Sequence, residues 1–333
     1  MAYDVIVIGA AVVDVFMKTD AETIEINGVS QGKPIHEKLL AYPLGSKILV
    51  NELTFSTGGG GTNVACTFAK EGLKTAYVGK FGKDDHARAI FGWLKSEGIH
   101  FLGQVGGQTG YSTILDSQAD DRTILVFRGA NDEFDFDKVP KREFKAEWLY
   151  ACTMIGKSFA SLEKAIFYCK HNGMKVAFNP SPYLAAKGLG FLKNILKKTD
   201  VLILNKDEAQ MLVGNGNERE LCQRLLEQGP RIVAVTDGAR GSFVMDEKEA
   251  YWVLPAKDLK IVETTGAGDA FGSGLVAGLI KGKNLREAAL MGTINAEGVI
   301  SAYGAKNHIF SSSEMAEALR KERLRPRHEV KAF

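Results

Sequence analysis

Residues 262–279 read VETTGAGDAFGSGLVAGL, and the rest of the chain is organised around this stretch. Gly266, Ala267 and Gly268 stand directly before Asp269, and Phe271, Leu275, Val276 and Leu279 then recur at helical spacing. The pattern predicts a tight turn opening into the N-terminus of a helix. Glycine lets the backbone turn and lets a ligand approach closely. Unpaired N–H groups and the positive end of the helix dipole then form an anion site. A carboxylate held there stays ionised and can serve as a base, and an anion cradle beside a base suits phosphoryl transfer to a hydroxyl. The same spacing also describes a glycine-rich turn whose aspartate only caps the helix.

Composition narrows the field. With 333 residues, 45% of them apolar and 25% charged, the chain can bury a large core. A net charge of +2 gives no push toward nucleic acid or a membrane surface. Cys66, Cys152, Cys169 and Cys222 are scattered and form no C-x-x-C pair, so neither a disulfide framework nor a zinc site is expected. No basic leader precedes an apolar run and no apolar stretch is long enough to span a bilayer, which together predict the cytoplasm. Basic residues cluster only near the end, from Arg320 to Arg327, as expected for a solvated helix end running into a basic tail over 324–333.

Outward from the central stretch, apolar strands alternate with helices. Tyr3–Gly9, Trp148–Cys152, Lys175–Asn179, Val201–Leu204 and Ile232–Thr236 read as buried strands, the middle three each followed by a helix. Such βα alternation predicts an α/β fold, a mostly parallel sheet covered by helices on both faces. Ile48–Phe55 and the alternating runs Tyr111–Ser117 and Arg122–Arg128, which flank a turn with Asp120 and Asp121, do not suit that sheet and are expected to project from it. Lys18–Lys47 reads as a long, polar, irregular segment, a flap rather than a connector.

Phosphate-binding motifs compete. Gly9 to Asp14 (GAAVVD) lacks the G-x-G-x-x-G dinucleotide fingerprint. Gly156-Lys157-Ser158 supplies the end of a P-loop, but the first glycine of that motif would be Ala151. Gly58–Gly61 open a second helix that carries Asn63, which admits either close helix–sheet packing or backbone approach to a polar ligand. Asn205 and Glu208 follow a strand in NKDE, where they would organise Mg²⁺ through water or simply cap the next helix. Thr236 to Gly241 (TDGARG) follows another strand and would wrap phosphates or turn a hairpin. Asp14, set among apolar neighbours, needs a partner or ligand if buried.

Together the VETTGAGDAF, GGGGTN, NKDE and TDGARG segments, in this order and spacing, resemble the ribokinase/PfkB family of sugar and nucleoside kinases over nearly the whole chain. The resemblance implies a single three-layer ribokinase-like domain over 1–333, with a small β-sheet lid from about 12–56 and 108–128. It implies ATP and Mg²⁺ as cofactors, with K⁺ in the members that use it, and a homodimer formed through the lid. Asp269 would be the base and the amides of Gly266, Ala267 and Gly268 the anion hole. Asp14, Gly58, Gly59 and Asn63 would bind sugar hydroxyls. Arg128, by its place at the end of the hairpin, would either pair with a substrate carboxylate or phosphate or sit in solvent. Asn205, Glu208, Thr236, Gly238, Gly241 and Asn295 would serve the nucleotide, Glu208 through Mg²⁺. Glu263 stands where the family signature usually has Asp, at the position tied to a monovalent cation. The expected activity is phosphorylation of a sugar hydroxyl. A nucleoside kinase and a non-catalytic sugar- or nucleotide-binding regulator are the alternatives.

Overall fold

The computed structural model describes residues 2–20, 23–30, 33–116 and 122–333. Strand β1 (Tyr3–Ile8) is apolar on both sides, as its β-branched sequence requires. Val5 and Val7 face one core and Ile6 and Ile8 the other. The chain then leaves the main sheet for β2 (Val12–Lys18), a hairpin of β3 (Thr23–Ser30) and β4 (Lys33–Leu40), and β5 (Glu52–Gly58). It returns through helix α1 (Gly60–Lys70) to β6 (Thr75–Val78). After the short β7 (Lys80–Phe81) come α2 (Asp85–Ser96), β8 (His100–Phe101) and β9 (Gln104–Val105). The hairpin β10 (Gly110–Asp116) and β11 (Arg122–Phe127) follows.

The second half supplies β12 (Ala146–Ala151), α3 (Lys157–His171), β13 (Lys175–Phe178), α4 (Ser181–Ala185) and α5 (Leu189–Leu196). Next are β14 (Val201–Asn205), α6 (Lys206–Val213), α7 (Glu218–Leu226) and β15 (Ile232–Thr236). The antiparallel β16 (Ser242–Asp246) and β17 (Ala250–Val253) precede α8 (Ala267–Ile280), α9 (Leu285–Ile300), α10 (Ser312–Leu324) and β18 (Val330–Ala332).

Ten strands form the main sheet in the order β18-β17-β16-β15-β14-β13-β12-β1-β6-β8, parallel from β15 to β8 and antiparallel beyond β15. One face packs against α3–α7 and the other against α1, α2 and α8–α10, the layered α/β arrangement. A separate sheet in the order β11-β10-β2-β5 stands off this core, and its outer residues Phe55, Leu125 and Phe127 are exposed.

Three expectations need correction. Lys18–Lys47 is not irregular: it carries the paired strands β3 and β4, with Ile24, Ile26 and Leu39 outward, so alternation hidden among polar residues was missed. Thr75–Phe81 is not one strand, because Gly79 lies against Tyr77 and the Gly9 backbone and β7 leaves to pair with β9. The end of the chain is not only a basic tail: β18 closes the sheet edge and His328 is buried, while Arg320, Lys321, Arg323, Arg325 and Arg327 are exposed as expected. Asp120 and Asp121 of the predicted turn lie outside the described residues. No helix among the described residues is long and apolar enough to cross a membrane.

Candidate active site

The carboxyl ends of the parallel strands, where open α/β sheets place their ligands, carry the sequence motifs. Gly266 takes a left-handed conformation (φ 82°), and a side chain there would meet Ala305, its Cβ 2.6 Å from that residue's own. The chain can therefore turn into α8 only through glycine, and Asp269 falls in the first turn. Of the three expected anion-hole amides, that of Ala267 is drawn to the Thr264 carbonyl at 3.2 Å. The Gly268 N–H belongs to the first turn of α8, whose amides have no intrahelical acceptor, and stands at the positive end of the helix dipole.

Helix α1 begins beside it. The four glycines divide by alternation between packing and access. Gly59 and Gly61 press on the Ala10 and Gly9 backbone, so both are there for close packing. Gly60 instead fronts the Asp269 carboxylate, which a Cβ there would meet at 3.4 Å, and a Cβ on Gly58 would collide with Asp14 Oδ2 at 1.7 Å. Asn63, one turn into α1, donates from Nδ2 to Asp269 Oδ2 at 2.9 Å. Its Oδ1 is buried with no donor among the described residues, an acceptor aimed into the site. Burial raises the Asp269 carboxyl above the usual aspartate range, and the Asn63 amide opposes that rise.

Asp14, from β2, is buried opposite Ser56 and Ser112 in the lid. Burial raises its carboxyl; the Ser112 hydroxyl and the Lys306 ammonium lower it, and Glu263 raises it. Arg128, just past β11, binds Asp132 Oδ1 through Nε at 2.6 Å, while its buried Nη2 has no acceptor among the described residues. Nearby Asn131, which sequence reading passed over, clamps both the N–H and the carbonyl of Ala11 at 2.9 Å and so fixes the start of β2. A lone asparagine in a loop gives no signal of that role.

Across α8 lies a cleft of about 470 Å³ lined by Thr236, Gly238, Gly241, Gly268, Phe271 and Glu297, with apolar walls from Pro255, Ala256 and Ile300. Gly238 (φ 50°) and Gly241 (φ 93°) shape its loop, and a Cβ on Gly241 would strike the Val253 carbonyl at 2.2 Å. The loop's Asp237 is held well below the usual carboxylate range, chiefly by Arg240 and further by Lys206. Asn205 and Glu208 form a reciprocal capping box at the start of α6, 2.8 and 2.9 Å, so the capping reading is realised. Burial raises the Glu208 carboxyl, and the charges of Asp207 and Asp269 raise it further.

Three sequence-based candidates sit differently. Asn295 does not reach the cleft: it is fully buried, donates to the Ala270 carbonyl at 2.9 Å and accepts from Phe310 N–H, joining α9 to α8. Glu263 accepts the Gly304 N–H at 2.9 Å. Ser158 of the P-loop-like segment is buried, bonded to the Asn131 carbonyl and the Phe134 N–H, which leaves it structural.

Two helix N-termini meeting at an amide-held carboxylate, beside a nucleotide-sized cleft and under a small sheet, define a ribokinase-like α/β enzyme. The sequence profile of the pfkB family carbohydrate kinases matches residues 4–310, and the chain belongs to that family. An uncharacterized sugar kinase of Archaeoglobus fulgidus is 32% identical over 238 residues, covering 71% of this chain and 94% of that one. A 5-dehydro-2-deoxygluconokinase of Bacillus subtilis is 24% identical over 340 residues, covering 96% of each. The crystal structure of a ribokinase from Thermotoga maritima matches with a TM-score of 0.79 at 24% identity, over 96% of this chain and 99% of that one. The protein is thus a phosphotransferase of the PfkB carbohydrate kinase type.

Proposed function

We propose that this kinase transfers the terminal phosphoryl group of ATP to a hydroxyl of a sugar or sugar acid, with Asp269 as base. The observation that carries the reading is the Asn63–Asp269 hydrogen bond, 2.9 Å, at the meeting point of the two glycine-opened helices. The acceptor hydroxyl would approach Asp269, whose raised carboxyl brings its basicity closer to neutral pH. Asn63 Oδ1 and the Asp14 carboxylate would accept hydrogen bonds from other substrate hydroxyls, and Gly58 would let the acceptor lie against backbone, while Gly59 serves the packing of the turn. The unsatisfied Arg128 Nη2 is suited to a substrate carboxylate or phosphate, which favours an acidic sugar.

On the donor side, the Gly268 amide and the α8 dipole would take up charge on the transferring phosphoryl, with Gly266 and Ala267 shaping the turn. Thr236, Gly238 and Gly241 would line the nucleotide, whose base would lie against the apolar wall. Mg²⁺ would arrive with the triphosphate and neutralise its charge, and Glu208, already committed through Oε2 to its capping box, fits an ion held through water rather than a direct cage. The lid would exclude water that otherwise hydrolyses ATP, and its exposed Phe55, Leu125 and Phe127 suit contact with a second copy of the chain. Four free, buried thiols are in keeping with a reducing cytoplasm.

The test is ADP release from Mg-ATP with ribose, fructose, 5-dehydro-2-deoxygluconate, ribose 5-phosphate and inosine, for wild type and Asp269→Asn. Acceptor-dependent turnover that falls by roughly a thousandfold in the variant supports the reading. Turnover that survives the substitution overturns Asp269 as base. ATP binding without turnover on any acceptor would favour the non-catalytic regulator.

A further inference from the structure

The loop between α9 and α10 touches three parts of the site in three successive residues. Gly304 donates its N–H to Glu263, and Ala305 packs against Gly266 at the turn into α8. Lys306 then crosses to the lid, where its Nζ donates to Thr57 Oγ1 at 2.7 Å. The ammonium also lies 3.8 Å from the centroid of the Trp93 ring on α2. Thr57 pairs with Val13 at the root of the lid, and the next pair along the same ladder is Ser56 with Asp14. A cation is therefore planted beside the lid root and attracts the Asp14 carboxylate.

We propose that Lys306 is the positioning residue of the acceptor subsite, clamping the root of β5 to the loop that backs the α8 turn and so holding Asp14 in place. The proposal rests on the kinase reading above. The ammonium does not reach the reacting atoms; it acts through Thr57 and Asp14. The groups facing it are Asp14 from β2, Cys66 and Lys70 from α1, Glu97 just past α2 and His308 from its own loop. Glu97 is shared with Lys70 at 3.2 Å, and burial pushes the Cys66 thiol up to about 12, so it stays neutral at working pH. Burial pushes the Lys306 ammonium down to about 8, against the attraction of Asp14 and Glu97. Its charge is full below that value and is lost as pH rises through it.

The experiment compares wild type, Lys306→Met and Lys306→Arg with the best acceptor of the panel from about pH 6.5 to 9.5. Acceptor binding without nucleotide is followed in parallel by calorimetry. Lys306→Met is expected to raise the acceptor KM and Kd roughly tenfold, the effect of losing a charge-assisted hydrogen bond, while the nucleotide KM stays within about twofold. Arginine, which also stacks on tryptophan, is expected to restore acceptor affinity to within about threefold. In wild type the acceptor KM should climb above about pH 8, whereas Lys306→Arg should stay flat. An unchanged acceptor KM in a folded Lys306→Met, or an equal rise in both KM values, overturns the proposal. If that variant does not fold, the wild-type and Lys306→Arg pH profiles decide, and identical profiles overturn it. A wild type without acceptor-dependent turnover would instead overturn the kinase reading and this inference with it.

Discussion

Asn63 and Asp269 stand 206 positions apart in the chain and 2.9 Å apart in space, the amide of one helix N-terminus holding the carboxylate of another. The contact has two opposed consequences. It positions the carboxylate, and it favours the ion that burial penalises.

Removing the amide should therefore be visible in the pH dependence of the chemical step. Asn63→Ala withdraws the hydrogen bond that lowers Asp269 against the effect of burial, so the carboxyl rises further. A base works above its pKa, so the acid limb of the kcat profile should move to higher pH, with an added increase in acceptor KM. Steady-state kinetics from about pH 4.5 to 8 would check this, and an acid limb shifted downward would contradict it.

Glu263 leads to an expectation about monovalent cations. Its Oε2 already accepts the Gly304 N–H, and a backbone donor aimed at the carboxylate competes with a cation for the same oxygen. Turnover should change less than about twofold when K⁺ is replaced by Na⁺ or choline at constant ionic strength. A large K⁺ activation would show that the longer acid still serves a cation there.

Asn295 should behave as structure and not as a nucleotide ligand. Its amide bonds lie between α9, the Ala270 carbonyl and the Phe310 N–H in a fully buried setting. Asn295→Ala should cost roughly 1–3 kcal/mol of stability by orphaning those partners. The nucleotide KM, measured on the folded variant, should stay within about twofold.

His328 pins the last strand to the helical layer. Its Nε2 lies 3.1 Å from Glu297 and its Nδ1 3.0 Å from Glu322, although the Nδ1 contact is poorly aligned as a hydrogen bond. Burial disfavours the imidazolium, but the two carboxylates outweigh it and raise the ring above its usual value. The group's stabilising contribution is then fully present below about pH 6.5, the unfolded value, and lost as pH rises through the folded one. His328→Gln should narrow the Tm difference between about pH 6 and 9. Glu297 also holds the Ala256 N–H in the cleft wall at 2.7 Å, so nucleotide affinity should weaken as well.

Local pattern determined the α/β layering, the glycine-opened helices and most motif positions, because burial and turn chemistry are written in spacing over a few residues. The period of two in β10 and β11 announced a projecting sheet before any contact was known. Other features depended on partners far away in sequence. Whether each of Gly58 to Gly61 packs or gives access depends on which backbone or carboxylate the fold sets opposite it. The Asn205–Glu208 pair reads alike as a metal site or a cap, and that the cap is formed is seen only in the realised hydrogen bonds. Asn295 looked polar and available until α8 and the Phe310 segment enclosed it. Lys306 and Asn131 carried no signal, since a single polar residue in a loop acquires its role from what it meets. Sequence spacing specifies local conformation and the face a residue occupies. Charge balance, accessibility and pairing are long-range quantities, and tertiary packing alone decided them.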